Sequence, residues 1–205
     1  AYLQADSISV APKISGYVGG VLVADNQTVK RGDILVRLDA RKYQAVSDEA
    51  SATIAARSAD LTKAEADLVQ QDSTIAEARA QLQGAEADAK HAQTEVARYG
   101  PLARSGAEPE ERLAQLNNEL AQARSNVAAK QAALRSSQTR YGTLQAQLKQ
   151  AQAQLGVAKA SEAQSQLDVD DAVIRSPLDG RVADRGVRVG QYVQPGTRLL
   201  TVVPV

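Results

Sequence analysis

Two stretches of the chain carry an apolar residue at every seventh position, and the two series mirror one another. Ile54, Leu61, Leu68, Ile75, Leu82, Ala89 and Val96 form the first; Leu113, Leu120, Val127, Leu134, Tyr141, Leu148 and Leu155 form the second. A strict heptad keeps one stripe of a helix against a partner and imposes a left-handed supercoil. With these positions labelled a, the first series has Ala50, Ala64, Ala78, Ala85 and Ala92 at d. The second has Leu116, Ala123, Leu144, Ala151 and Ala158, with Lys130 and Ser137 interrupting. Small d residues let two backbones approach closely.

Folding the chain back near residues 104 and 105 sets Ile54 against Leu155, Leu68 against Tyr141 and Val96 against Leu113. An offset of about one turn is expected, because antiparallel layers alternate. The pattern therefore predicts an antiparallel coiled-coil hairpin. Each arm holds about 58 residues, hence roughly 87 Å of helix. Each buried Leu or Ile contributes about 1.5–3 kcal/mol, so the seam holds a long rod without a globular core. Gly84, Gly142 and Gly156 interrupt the arms at about 1 kcal/mol each. Either the packing tolerates them or they mark close approach of a neighbouring hairpin.

The composition suits this reading. Phe, Trp and Met are absent and aromatics are 3% of a chain that is 43% hydrophobic, so bulky core residues are scarce. Lys+Arg and Asp+Glu are 24 each, which leaves no electrostatic footprint for nucleic acid. Without cysteine there is no disulfide or thiol chemistry. No apolar run reaches the roughly 18 residues that span a bilayer, and no signal peptide opens the chain. It starts on a strand-like segment and stops at Val202-Val203-Pro204-Val205, as a piece of a longer protein would.

Outside the heptads, the two ends of the chain repeat each other. Gly16, Val18, Val23, Gln27, Val29, Gly32 and Leu35 recur, without a gap, as Gly180, Val182, Val187, Gln191, Val193, Gly196 and Leu199. Val10 and Ile174, Ile14 and Leu178, Val36 and Leu200, and Leu38 and Val202 match conservatively at the same separation. Only Pro12 and Pro177 slip by one. Such self-similarity marks a duplicated structural unit. Each copy reads as short strands, with Lys30-Arg31-Gly32-Asp33 and Gln194-Pro195-Gly196-Thr197 as tight turns. One copy is too small to bury a core alone. The mirror rule brings Asp39 level with Asp170, so the copies meet where the hairpin begins and close on each other as a small β-sandwich.

The arms change over between Arg98 and Arg112. Gly100-Pro101 is expected to loosen or end the first helix, since proline disfavours helix before it. Gly106 suits the turn. Pro109 fits the start of the second helix, with Glu110 and Glu111 favourable at its positive end.

A β motif cut in two by an antiparallel coiled coil resembles the membrane fusion proteins, the HlyD, EmrA and AcrA type of periplasmic adaptor. The resemblance rests on Val10-Ala11-Pro12-Lys13-Ile14-Ser15-Gly16-Tyr17-Val18, on the run from Asp25 to Leu35, and on Ile174-Arg175-Ser176-Pro177-Leu178-Asp179-Gly180-Arg181-Val182 with Gly190 to Thr197. Asp25-Asn26-Gln27 and the closing Val-Val-Pro-Val look most like the EmrA-like branch. The fold this implies is α+β: a helical hairpin inserted between two halves of a lipoyl- or biotinyl-like β-sandwich. The first half occupies residues 1–39 and the second 170–205. The hairpin occupies 40–169, with one helix over about 40–98, the tip at about 99–108 and the other helix over about 109–167. A membrane helix and a β-barrel domain belong to the family and lie outside this chain.

The resemblance implies a non-enzymatic periplasmic adaptor of an efflux or secretion system, anchored to the inner membrane in the full-length protein. Its partners are an inner-membrane transporter, of the major facilitator type in EmrA-like systems, and a TolC-like outer-membrane channel. Self-association as a trimer or hexamer is implied too. Many adaptors meet the channel through a tip motif of Arg, then Leu four later, then Ser seven after that. Arg98 and Leu102 match; Pro109 stands where Ser would. Arg98 is expected as a polar anchor and Leu102 as an apolar contact, unless they only shape the loop.

Two other readings compete. Biotinyl and lipoyl carriers share this sandwich, but present their lysine at a hairpin where this chain has its coiled coil. Lys42 is close by, in the expected first helical turn. A structural coiled-coil scaffold explains the heptads but not the matched strand repeats. The sole histidine, His91, falls opposite the seam as a solvated residue. The sequence offers no metal cluster, phosphate-binding glycine loop or nucleophile–base set, so no cofactor or catalytic residue is expected. Glu110-Glu111 reads as a helix start.

Overall fold

The computed structural model describes residues 6–205. In chain order the elements are β1 (Ile8–Val10), β2 (Gly16–Val21), β3 (Thr28–Val29), β4 (Ile34–Leu38), α1 (Arg41–Arg104), α2 (Glu110–Asp171), β5 (Val173–Arg175), β6 (Gly180–Ala183), β7 (Tyr192–Val193) and β8 (Leu200–Pro204). They fall into two compact units. Among the described residues, one comprises 6–57 and 155–205, the other 58–154.

The first unit holds two four-stranded sheets, in the orders β1-β8-β6-β3 and β5-β4-β2-β7. The sequence repeat equates β1 with β5, β2 with β6, β3 with β7 and β4 with β8. Exchanging the copies turns one sheet order into the other. Each sheet therefore draws two strands from each end of the chain, and neither copy builds a sheet alone. All the pairings are antiparallel.

The repeated apolar residues are the core. Val18, Val29, Leu35 and Val36 are essentially inaccessible, as are their counterparts Val182, Val193, Leu199 and Leu200. Val10, Val23 and Leu38 pack with Ile174, Val187 and Val202 in the same cluster. Burying each contributes about 1.5–3 kcal/mol, which an all-aliphatic core of this size needs.

The turns are duplicated down to individual hydrogen bonds. Gln27 Oε1 accepts from the Ala24 N–H at 2.9 Å, and Gln191 Oε1 accepts from the Arg188 N–H at 3.2 Å. Asn26 and Gly190, one residue earlier, both have positive φ, 65° and 85°. The next turn is likewise closed in both copies, Asp33 Oδ2 accepting from the Lys30 N–H and Thr197 Oγ1 from the Gln194 N–H. Gly32 and Gly196 take φ of 92° and 86° there, the left-handed region that glycine enters at no steric cost. The repeated glutamines are thus turn locks, a role that the sequence repeat did not reveal.

In the second unit the two helices pair antiparallel. The a positions of α1 from Leu61 to Val96 are half-buried, and the flanking residues are mostly exposed. Ala85, Leu116, Leu120, Leu144 and Ala151 are buried along the seam. Gln71 Nε2 donates to the Ser137 carbonyl at 2.8 Å, and Lys130 Nζ donates to Gln81 Oε1 at 3.2 Å. Both contacts lie within a turn of the mirror rule. A Cβ on Gly84 or Gly142 would meet no atom within 4 Å.

The first helix departs from expectation. Gly100-Pro101 predicts an end near residue 98; instead the helix runs through Pro101 to Arg104. Much of the penalty before proline is a clash with the preceding Cβ, and Gly100 has none. What ends α1 is Gly106, with φ of 79°. The Gly106 N–H donates to the Ala103 carbonyl and the Ala107 N–H to the Leu102 carbonyl, at 3.2 and 3.0 Å. This pair of bonds is a Schellman motif around a left-handed glycine. The turn is accordingly shorter than the expected 99–108. The second helix begins at Glu110, directly after Pro109, and ends at Asp171, not near 167. Ala172, fully buried in the sheet core, carries the helix past the acidic residues that disfavour its negative end.

Candidate functional site

Arg98 and Leu102 lie four residues apart on α1 and share a helix face. The Arg98 guanidinium donates to both carboxylate oxygens of Glu95 at 2.7 Å and sits 5.9 Å from the Tyr99 ring centroid. Its side chain is still 64% exposed. Leu102 is 40% exposed, while its carbonyl is saturated by the Ala107 and Glu108 N–H groups and the Ser105 hydroxyl. The backbone at Leu102 is therefore pinned and its side chain offered to solvent. Pro109 is exposed at the entrance to α2, followed by Glu110 and Glu111 in the first turn. The hairpin turn brings all three expected residues to one end of this unit. Sequence reading missed the Glu95 partner of Arg98, although three-residue spacing of Glu and Arg on a helix is a usable signal. It also missed Ala103, which is buried at this end.

A second surface lies in the sandwich unit, where α1 starts. Tyr17 and Tyr192 face each other across β2 and β7, ring centroids 5.1 Å apart and planes at 65°. The Asp39 carboxylate takes the Arg41 guanidinium at 2.7 Å and the Arg41 N–H at 3.1 Å. These hydrogen bonds from Arg41 hold the Asp39 carboxyl below its ordinary value and raise Arg41 above its own. Tyr43 donates its hydroxyl to the Ser15 carbonyl at 2.6 Å. Lys42 is the second residue of α1 and exposed. His91 is exposed on α1, as expected.

Among the described residues, no group of three or more His, Asp or Glu could hold a metal ion. No helix among them is long and apolar enough to cross a membrane.

The sequence model of the RND MFP barrel-sandwich hybrid domain matches residues 6–204. The chain belongs to the membrane fusion proteins, as its resemblance to the EmrA-like branch suggested. Multidrug resistance protein MdtN of Escherichia coli K12 is 32% identical over 99% of this chain. Colistin resistance protein EmrA of Acinetobacter baumannii is 32% identical over all of it. Fatty acid resistance protein FarA of Neisseria gonorrhoeae is 32% identical as well. The chain spans 58% of the first two relatives and 50% of the third.

Two solved structures share the fold. The periplasmic adaptor EmrA superposes with a TM-score of 0.53 at 18% identity, over 97% of this chain and 72% of that one. The soluble domain of LipC, a membrane fusion protein of a type I secretion system, gives 0.50 at 19% identity, over 98% of this chain and 100% of its own. The expected α+β architecture, a helical hairpin inserted in a split β-sandwich, is the one observed.

Proposed function

We propose that this chain is the hairpin-and-sandwich part of a periplasmic adaptor in a tripartite efflux or secretion system. In this reading a non-enzymatic protein links an inner-membrane transporter to a TolC-like outer-membrane channel through the hairpin turn. The observation that carries it is the turn itself. A Schellman-capped glycine fixes the backbone and leaves Leu102, Pro109 and most of the Arg98 side chain, paired with Glu95, exposed at this end. Helix-to-helix docking onto a channel suits that end, with Leu102 as the apolar contact and Arg98 as the polar one. Relatives whose names record resistance to multiple drugs, colistin and fatty acids favour efflux over protein secretion.

The finer parts of the reading follow the EmrA-like relatives: a major facilitator transporter, assembly as a trimer or hexamer, and anchoring of the full-length protein at the inner membrane. Proline in place of a serine hydroxyl at position 109 makes the docking depend more on Arg98 and Leu102. Pull-down of a TolC-like channel by the wild type, and its loss with Arg98→Asp plus Leu102→Asp, is the expected result. Equal capture by both proteins removes the tip assignment.

A further inference from the structure

We propose that the cleft beside the Tyr17–Tyr192 pair binds amphiphilic organic anions that carry an aromatic ring. The internal duplication supplies the control for this inference. Tyr17 corresponds to Arg181 and Tyr192 to Thr28, and these counterparts are themselves direct cross-strand partners in β3 and β6. The same ladder position is thus filled once by Tyr–Tyr and once by Thr–Arg. Core and turns obey the duplication closely, so the sandwich needs no aromatic pair at this place. Yet Tyr17 is 60% and Tyr192 50% exposed, in a chain with only six tyrosines and no Phe or Trp. Ring surface left in water by a fold that manages without it is available for a ligand.

The surroundings define the ligand. The cleft is an open one of about 560 Å3, and its walls include both tyrosines, Asp39, Arg41, Lys42 and Tyr43. Volumes of roughly 300–1,000 Å3 accommodate small organic molecules. Asp39 and Arg41 neutralise each other in a 2.7 Å ion pair. The Lys42 side chain makes no hydrogen bond or ion pair with the described residues, which leaves the cleft one uncompensated positive charge. The Tyr43 hydroxyl is committed to Ser15, so the wall there is fixed. The duplicate face has Val203 and Val205 where this one has Asp39 and Arg41, so that ion pair is not repeated there. Ring faces beside a single ammonium select an aromatic body with one anionic group.

This inference stands apart from the docking role of the hairpin turn, and its test uses the chain alone. The probe is 2-naphthoate, with 2-naphthylmethanol as the neutral control, followed by NMR shift perturbation and calorimetric titration. Saturable binding with perturbation centred on Tyr17, Lys42 and Tyr192 is expected. Tyr17→Thr plus Tyr192→Thr, which removes both rings and adds no charge, weakens naphthoate about tenfold or more while the melting temperature holds. Lys42→Gln weakens naphthoate about threefold and leaves naphthylmethanol unchanged. Absence of saturable binding, perturbation mapping elsewhere, or unchanged affinity in the double variant each overturns the site. An altered sedimentation coefficient in that variant with probe affinity intact reassigns the face to contact between copies. The wild-type perturbation map decides the matter even if the double variant fails to fold.

Discussion

Gln71 reaches across the hairpin seam and donates its side-chain amide to the main-chain carbonyl of Ser137, at 2.8 Å. It is 5% exposed and occupies a d position, the kind that alanine mostly fills in α1. Ser137 is itself one of the two residues that interrupt the d series of α2. A polar layer inside an otherwise apolar seam specifies register at a cost in stability.

Replacing Gln71 should expose that trade. Gln71→Leu should leave stability unchanged or raise it by up to about 1 kcal/mol, because one modest hydrogen bond is exchanged for apolar burial. Gln71→Glu should cost about 2 kcal/mol or more at neutral pH, since a buried carboxylate beside a carbonyl has no partner. Urea denaturation followed by circular dichroism measures both. A leucine variant that loses more than about 2 kcal/mol would contradict the register-setting role.

The duplicated glycines should respond unequally to alanine. A Cβ on Gly180 would overlap the Val203 carbonyl oxygen and lie 2.8 Å from Val202 Cγ1. On Gly16 the closest atom would be 3.9 Å away, an ordinary contact. Gly180→Ala should therefore lose about 2 kcal/mol or more, and Gly16→Ala less than about 1. Thermal denaturation of the two variants side by side gives the comparison.

Helical glycines should separate by conformation. Gly106 ends α1 in the left-handed region, so Gly106→Ala should cost about 1 kcal/mol. Gly84 and Gly142 are helical with open space at Cβ. Gly84→Ala and Gly142→Ala should each stabilise by about 0.5–1 kcal/mol through helix propensity. Loss of stability at Gly84 or Gly142 would point to a neighbouring hairpin that needs the space.

The Asp39 carboxyl should titrate below the ordinary aspartate value, because Arg41 hydrogen-bonds its ionised form. A carboxyl with a lowered folded value contributes stability at pH above the unfolded value. That contribution fades as pH falls through the unfolded and then the folded value. Carbon-detected NMR of the Asp39 carboxyl should place its midpoint below that of aspartate in an unstructured peptide. Arg41→Gln should move it back up.

Much of the molecule is written in spacing. Leu61, Leu68 and Leu148 fall on the seam because a heptad on a helix allows no other placement. Val18, Leu35, Val182 and Leu199 fall in the core because duplicated alternating strands need an inside. Arg98, Leu102 and Pro109 fall at one end by the mirror rule alone. The end of α1 is different, because Gly100-Pro101 carries only an average expectation of breaking helix. Its outcome depends on the absent Cβ of Gly100 and on the left-handed residue six positions further on. Gln71 is equally hard to read, because a polar residue at d looks like an interruption until its partner carbonyl is located.

Periodicity and self-similarity, which are local or additive along the chain, determined by themselves that there would be two long paired helices and two matched sets of strands. Only the tertiary structure decided that each sheet takes strands from both copies, that Tyr17 meets Tyr192 while Thr28 meets Arg181, and that Lys42 opens beside them. Those outcomes rest on hydrogen-bond pairing and close contact between residues far apart in the chain, and no spacing rule encodes which distant neighbour a side chain will meet.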